Sequence, residues 1–548
     1  MRYDNGGDLL VAVLRELGID TVFGIVSVHN LPLVEAVDRE LRFVPVRHEA
    51  SAVNAADAYG RARGGIGCAL TSTGTGAGNA AGSLIEALSA GTSVLHVTGQ
   101  VESRYLGSGR GFIHETKDQL GMLTAVSRYA ATVPSADDAG RVLRAAAHAA
   151  GTAPCGPASV EWPIDLQYAA QNDPAAPAPA SAVPAPAPDA LAAAGALLAS
   201  ARRPLIWAGG GATRARTALA DLLAATGAGL LTSNSGRGTV PEDHPQVIGN
   251  FATTPPVRAL LADADVLLTI GTHFRSNETA DYGLTLPAAH LQIDLDADAL
   301  GRVYPARHPL HGDAADILAA LLPHAAPAER SWTDRITAVR DQVRGTLHDA
   351  IGPQAAICDA LRAALPREAV VARDVTIPSS SWGNRLLEIY DPRDNVFPRG
   401  GGIGQGLGMG IGAALARPET PTVVMAGDGG LAVHLGELLT LAQERPRLTL
   451  LVFNDGGYGV LRNMQDTYSE RRSGVDLTTP DFAQLAGACG LPYLRIAAEE
   501  HAAPVLDEAV ASDGPVLVEV DLTALGPMKN PFTPPVKIPE QTGAGRDE

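Results

Sequence analysis

The chain has 548 residues, too many for a single core at roughly 150 residues per domain. Hydrophobic residues make up 46% and charged residues 19%, a balance that buries cores and excludes wholesale disorder. The formal charge of −18 disfavours nucleic acid and anionic membranes as partners, while local basic groups and helix N-termini leave an anionic substrate open.

Residues 9–17 carry apolar side chains at helical spacing, and 20–24 read as a strand entering a glycine turn. Residues 43–47 read as the next strand, 50–63 as an alanine-rich helix, and 66–72 and 93–99 as further buried strands. This alternation predicts an α/β fold with a parallel sheet covered on both faces. Residues 171–189 are a Pro/Ala linker, extended and unable to join a core. Beyond it, 204–208 is a strand, Gly209-Gly210-Gly211 a turn and 214–225 a helix, with strands again at 265–270 and 291–294. That pattern resembles a nucleotide-binding domain, although glycines at such a turn also serve tight strand-to-helix packing. A third block begins near residue 353, with strands at 369–372, 421–426, 448–453 and 516–521. The Pro/Gly-rich tail from 525 reads as disordered or as a flap over a site. The expected domains are therefore 1–170, 190–325 and 350–524, with the linker at 171–189 and the tail at 525–548.

Cys68, Cys155, Cys358 and Cys489 form no CxxC pair, so they read as buried, reduced thiols in a cytoplasmic protein, not a disulfide framework or zinc site. The N-terminus lacks a basic-then-apolar signal, and no run of roughly 18 apolar residues is present to span a membrane.

Two motifs carry chemistry. Gly427-Asp428-Gly429 ends one strand, and about 27 residues later Asn454-Asp455-Gly456-Gly457 ends another, with an amphipathic helix at 435–444 between them. Two such strand ends lie side by side at the carboxyl edge of a parallel sheet, where ligands bind. Their oxygen ligands suit Mg²⁺ bridging to phosphate, and Gly427, Gly429 and Gly430 let backbone N–H groups approach an anion. Each motif alone is an ordinary turn; their pairing points to a diphosphate–metal clamp. The second motif is Arg47-His48-Glu49, which enters a helix after a first-block strand. An isolated Glu there reads as a helix-terminal charge.

Gly427-Asp428-Gly429 with Asn454-Asp455 resembles the signature of the thiamine-diphosphate-dependent enzymes. The chain resembles the acetohydroxyacid synthase, benzoylformate decarboxylase and pyruvate decarboxylase group over nearly its whole length, acetolactate-synthase-like large subunits most of all. The resemblance implies three doubly wound parallel-sheet domains: pyrimidine-binding, central Rossmann-like and diphosphate-binding. It implies thiamine diphosphate and Mg²⁺, with Asp428, Asp455 and the Gly457 carbonyl as metal ligands; the family's usual second motif has Asn where this chain has Asp455. Around the diphosphate it implies Gly427, Gly429, Gly430, Tyr458 and Gly459, with Thr376 on the loop Asp374-Val375-Thr376. Gly401, Gly402 and Ile403 match the turn whose bulky apolar residue props thiamine into a V shape. Glu49 matches the glutamate that hydrogen-bonds the aminopyrimidine and activates the cofactor, a role suited to a partly desolvated carboxyl. In this family the cofactor lies between the first domain of one subunit and the third of another, so a homodimer with shared sites, or a tetramer, is expected.

On the substrate side, Thr71–Asn79 matches a glycine-rich turn near the aminopyrimidine, bringing Ser72 and Thr73. Ser27, Val28 and His29 follow the first strand, and Val28 stands where benzoylformate decarboxylase has a substrate-binding Ser. Gly111–Glu115 resembles the Phe-Gln-Glu stretch of acetohydroxyacid synthases, with His114 replacing Gln. His29 and His114 are candidates for proton relay. Residues 239–248 and 270–272 also resemble acetohydroxyacid synthases, but Arg462-Asn463-Met464-Gln465 departs from their Arg-Gln-Trp-Gln, so Met464 weighs against authentic acetolactate synthesis. Arg471-Arg472 reads as a solvated face, with a site for an acidic substrate as the alternative. FAD is left open, because fold does not fix ligand. The expected activity is decarboxylation of a 2-oxo acid through an enamine, with carboligation open. Its alternatives are an acetolactate synthase, a flavin-dependent 2-oxo acid oxidase and an inactive cofactor-binding protein.

Overall fold

The computed structural model describes residues 1–173 and 183–534. About half of the Pro/Ala linker and most of the tail therefore lie outside the described residues. Two compact units form: one from residues 1–183 and 348–530, the other from 184–347 with the described residues after 530.

The first unit holds two six-stranded sheets. In the first block the strands are β1 (Thr21–Gly24), β2 (Arg42–Pro45), β3 (Gly67–Thr71), β4 (Val94–Gln100), β5 (Tyr129–Thr132) and β6 (Ala158–Pro163), ordered β2-β1-β3-β4-β6-β5. All pairings are parallel. β1, β3, β4 and β6 are buried at every position, as strands covered on both faces must be. β5 lies on the edge and is only partly buried, and it has none of the long apolar runs that mark the central strands. The first residues of the expected linker are ordered: Gln171–Asn172 pairs antiparallel with Arg2–Tyr3, and Asp173 accepts from Arg144.

The second unit carries β7 (Pro204–Ala208), β8 (Gly229–Thr232), β9 (Val247–Gly249), β10 (Val266–Ile270), β11 (His290–Asp294) and β12 (His308–His311), ordered β9-β8-β7-β10-β11-β12. That is the doubly wound order of dinucleotide-binding folds. Its glycines are used in packing: a Cβ on Gly209 would lie 2.1 Å from the Gly271 carbonyl oxygen, and one on Gly211 2.8 Å from the Gly271 Cα.

The third block completes the first unit with β13 (Val370–Arg373), β14 (Asn395–Val396), β15 (Thr422–Gly427), β16 (Leu448–Asn454), β17 (Tyr493–Ile496) and β18 (Val516–Asp521), ordered β14-β13-β15-β16-β18-β17. All three blocks are thus doubly wound parallel α/β sheets.

The helices that position the site are α1 (Glu49–Arg63), α2 (Thr75–Ala90), α3 (Gly406–Ala416), α4 (Asp428–Val433), α5 (Glu437–Glu444) and α6 (Gly459–Tyr468). α1 and α3 pack side by side and share one core through Val53, Ala56, Met409 and Ile411. Glycine makes this approach possible: a Cβ on Gly412 would sit 2.0 Å from the Ala55 carbonyl oxygen. Any side chain there would force the helices apart, at a cost of about 1–3 kcal/mol. No described helix is long and apolar enough to cross a membrane, and the four cysteines form no disulfide; Cys68 and Cys358 are buried, whereas Cys155 and Cys489 are only partly so, short of the burial expected of them.

Candidate cofactor and active site

β15 and β16 are neighbours in register, with Gly427 beside Phe453, so Asp428 and Asp455 emerge together at their carboxyl ends. Asp428 opens α4 and is 3% exposed. Its Oδ1 accepts from the Asp455 N–H at 3.4 Å, while its buried Oδ2 has no hydrogen-bond partner. Burial raises the Asp428 carboxyl above its ordinary range. Burial, and then Asp428 beside it, push Asp455 up to about 6. Arg462 lies 3.8 Å from Asp455, the one cation close to the pair among the described residues. Two adjacent carboxylates with a buried, unpartnered oxygen fit a divalent cation. Among the described residues no three acidic, His or Cys side chains cluster to hold a metal. Main-chain and phosphate oxygens would complete the shell, as is usual for Mg²⁺.

The Gly457 carbonyl borders the same loop, 2.9 Å from where a Cβ on Gly429 would stand. Tyr458 covers Gly429 in the same way at 2.8 Å, and a Cβ on Gly459 would collide with Asp455 Oδ2. Thr376 reaches this edge from β13, its Oγ1 3.0 Å from the Cβ position of Gly427. Gly430 faces Asp374 and Gly404. The expected diphosphate residues are therefore assembled at one sheet edge.

The turn Gly400–Gly406 adjoins it, with the Gly404 nitrogen 3.6 Å from the Cβ position of Gly430. Gly401 and Gly404 have φ of +96° and +82°, conformations that glycine adopts freely. Asp374 is buried and accepts from the N–H groups of Val375, Gly404 and Gly406 at 2.7, 3.1 and 3.1 Å. Burial still pushes its carboxyl up to about 6. His434 Nδ1 lies 2.8 Å from the Gly404 carbonyl oxygen, which makes it a donor. Ile403 remains 38% exposed at the crest of this turn.

Glu49 opens α1, capped by His48, whose Nδ1 accepts from the Ala50 N–H at 3.2 Å. Glu49 Oε2 accepts from Asn79 at 3.0 Å, and Oε1 faces Gly76, where a Cβ would come within 3.0 Å. The His48 and His434 rings are 4.9 Å apart, and the Arg47 N–H donates to Glu437 of α5. Within one chain, then, the start of α1 abuts the third block near the Gly404 turn.

Ser72 meets Gly76 and so adjoins Glu49. Thr73 is fully buried and donates to Gln119, which also accepts from the Gly74 N–H at 2.7 Å. Glu161 supports Gln119 and Gln100 from beneath, accepting from both at 3.0 Å. Gly74 has φ +64° and holds the His114 carbonyl oxygen 2.3 Å from its Cβ position. His114 is itself left-handed, at φ +65°, and its ring lies 5.2 Å from that of His29. His29 is 3% exposed, and burial, then His114, hold it below its ordinary range against the opposing effect of the Ile113 backbone. Ser27 Oγ accepts from the His29 N–H, and Val28 is 58% exposed. Met464 sits half-buried on α6, a helix whose only buried residue is Gly459. Arg472 pairs with Asp466 in an exposed ion pair, as a solvated face requires.

Sequence reasoning missed Asn79, Gln119, Glu161 and His434. Asn79 stood inside the Thr71–Asn79 turn; the other three offered no local motif.

Three family patterns match the chain. The thiamine pyrophosphate enzyme N-terminal TPP binding domain covers residues 4–122, the central domain 191–321 and the C-terminal TPP binding domain 378–520. A probable 2-ketoarginine decarboxylase of Pseudomonas aeruginosa is 33% identical over 492 residues, covering 88% of each chain. The acetolactate synthase isozyme 2 large subunit of Escherichia coli is 28% identical, covering 95% of this chain and 96% of its own. An acetolactate synthase large subunit of Mycobacterium tuberculosis is 30% identical, covering 94% and 87%.

Proposed function

The chain belongs to the thiamine pyrophosphate enzymes, and from that premise we propose that it decarboxylates a 2-oxo acid using Mg²⁺-bound thiamine diphosphate. The remainder then passes to a proton or to a carbonyl acceptor. The observation that carries this reading is the Asp428–Asp455 pair, with one oxygen buried and unpartnered beside a glycine-rich edge. Bound thiamine diphosphate supplies the electron sink for the carbanion that CO₂ loss leaves.

The chain's own residues do the rest. Asp428, Asp455 and the Gly457 carbonyl hold the metal. Gly427, Gly429, Gly430, Thr376, Tyr458 and Gly459 surround the diphosphate, and Gly401, Gly402 and Ile403 receive the thiamine. Glu49 holds a proton at Oε1, the oxygen that Asn79 leaves unengaged. His29, held below its ordinary range by burial, exchanges a proton with the substrate side in concert with His114. Ser27, Val28, Ser72, Thr73 and Met464 line the substrate. The expected unit is a cytoplasmic homodimer with shared sites, or a tetramer, and the domains follow the boundaries 1–170, 190–325 and 350–524.

An acetolactate-forming transferase is the second reading, favoured by the near full-length likeness to the Escherichia coli large subunit. Met464 in place of Trp weighs against it. CO₂ release from a panel of 2-oxo acids, pyruvate and 2-ketoarginine included, with and without thiamine diphosphate and Mg²⁺, tests both. An aldehyde one CO₂ lighter than its acid supports the decarboxylase. Acetolactate from pyruvate supports the transferase. A yellow protein that makes peroxide is a flavin oxidase, and a protein that binds cofactor but releases no CO₂ from any acid overturns the proposal.

A further inference from the structure

Of the buried carboxylates in the first block, Glu86 has no role in the site as described so far. It lies on α2, 5% exposed, and among the described residues it has no ion-pair partner. Both its oxygens are engaged by the third block: one accepts from the Gly400 N–H, the other from the Gly402 N–H at 2.7 Å. The carboxylate sits close against both residues: a Cβ would come within 2.7 Å of Glu86 at Gly400 and 2.9 Å at Gly402. A buried carboxylate without a cation is costly unless donors such as these satisfy it.

The turn is thus held from two sides. Glu86 takes the amides of Gly400 and Gly402, and Asp374 takes those of Gly404 and Gly406. The amides of Gly401 and Ile403 make no hydrogen bond among the described residues. Those two groups, with the Ile403 side chain, are what the clamped turn presents to a ligand. The other end of α2 meets Glu49 through Gly76 and Asn79. Asn79 and Glu86 are seven residues apart, two turns on one helix face, so a single rigid element touches both the activating carboxylate and the turn.

We propose that Glu86 is a positioning residue: it clamps the Gly400–Gly402 backbone so that Gly401 and Ile403 meet the thiamine moiety of the cofactor. The inference rests on the proposed cofactor-binding role of this turn. It separates two parts of one ligand, because the diphosphate is held elsewhere, at the Asp428–Asp455 edge.

The test measures binding by calorimetry for the full-length wild type, Glu86→Ala and Glu86→Gln, with two probes in the presence of Mg²⁺: thiamine diphosphate and inorganic pyrophosphate. Losing two hydrogen bonds to a charged acceptor is expected to weaken thiamine diphosphate binding roughly tenfold or more in Glu86→Ala. Pyrophosphate binding is expected to be unchanged. Glu86→Gln, which keeps one acceptor oxygen, is expected to fall between, and it carries the test if the alanine variant fails to fold. Equal weakening of both probes means general damage and overturns the inference, as does unchanged thiamine diphosphate binding. A wild type that takes up no thiamine diphosphate overturns the proposed function itself, and the inference with it.

Discussion

The first and third blocks lay six parallel strands in the same order, yet their carboxyl edges carry opposite chemistry. The third block's edge is acidic and glycine-lined: Asp374, Asp428 and Asp455 are each raised by burial, and Gly429 and Gly459 let Tyr458 and Asp455 approach the backbone closely. The first block's edge holds one half-buried glutamate, two histidines and a hydroxyl-lined turn backed by glutamines. The sheets are alike; the turns after the strands are not. Topology decides where a ligand sits, and turn residues decide which part of it each block holds.

That contrast predicts that damage to the two edges reads out differently. The largest effect is expected from Asp428→Ala, which removes half of the carboxylate pair. Binding of thiamine diphosphate with Mg²⁺ should be lost by calorimetry, and turnover should fall to background. Glu49→Gln should instead retain cofactor binding within a few-fold while turnover drops by roughly 10²–10⁴, the usual worth of a positioned acid–base group. If Glu49→Gln loses the cofactor as completely as Asp428→Ala, the division between the blocks is wrong. A smaller effect is expected from His29→Phe, which fills the buried site but carries no proton. Turnover should fall about tenfold to a hundredfold with cofactor affinity unchanged, and the pH profile of turnover should shift. An unaltered profile would make His29 a packing residue.

The acidic edge was legible in the sequence because each part of it is local: a strand, a turn and a helix start within ten residues, twice over. The Arg47-His48-Glu49 motif was legible for the same reason. Glu86 was not, because its partners lie 314 and 316 residues away, and only the packed fold brings α2 under the Gly400 turn. Glu161 and Gln119 were hidden likewise: each is a lone polar residue until the sheet stacks them beneath Thr73. The strands left unread include β5, β14 and β17. They are two to four residues long and stand at sheet edges, too short for any periodicity to emerge. The glycines of 209–211 left a ligand turn and tight packing both open, and at Gly209 and Gly211 the structure shows close approach to Gly271.

The smallest expected effect concerns the turn between the two edges. Asp374 is buried with its carboxyl pushed up to about 6, although three backbone donors favour the ionised form. Desolvation outweighs those donors. Its folded value therefore lies above its unfolded one, and between pH 3.8 and about 6 the folded chain binds the extra proton. Stability from this group accordingly falls as pH rises through that window and is lowest above it. Asp374→Asn cannot titrate, so the melting temperature of the cofactor-free wild type should gain on the variant as pH drops from 7 to 5, by roughly 1–2 °C. A difference that stays flat with pH would mean that the backbone amides of Gly404 and Gly406 hold the carboxylate ionised throughout. The turn would then be clamped by full charge from Asp374 alone, and the need for Glu86 on its other side would be correspondingly less.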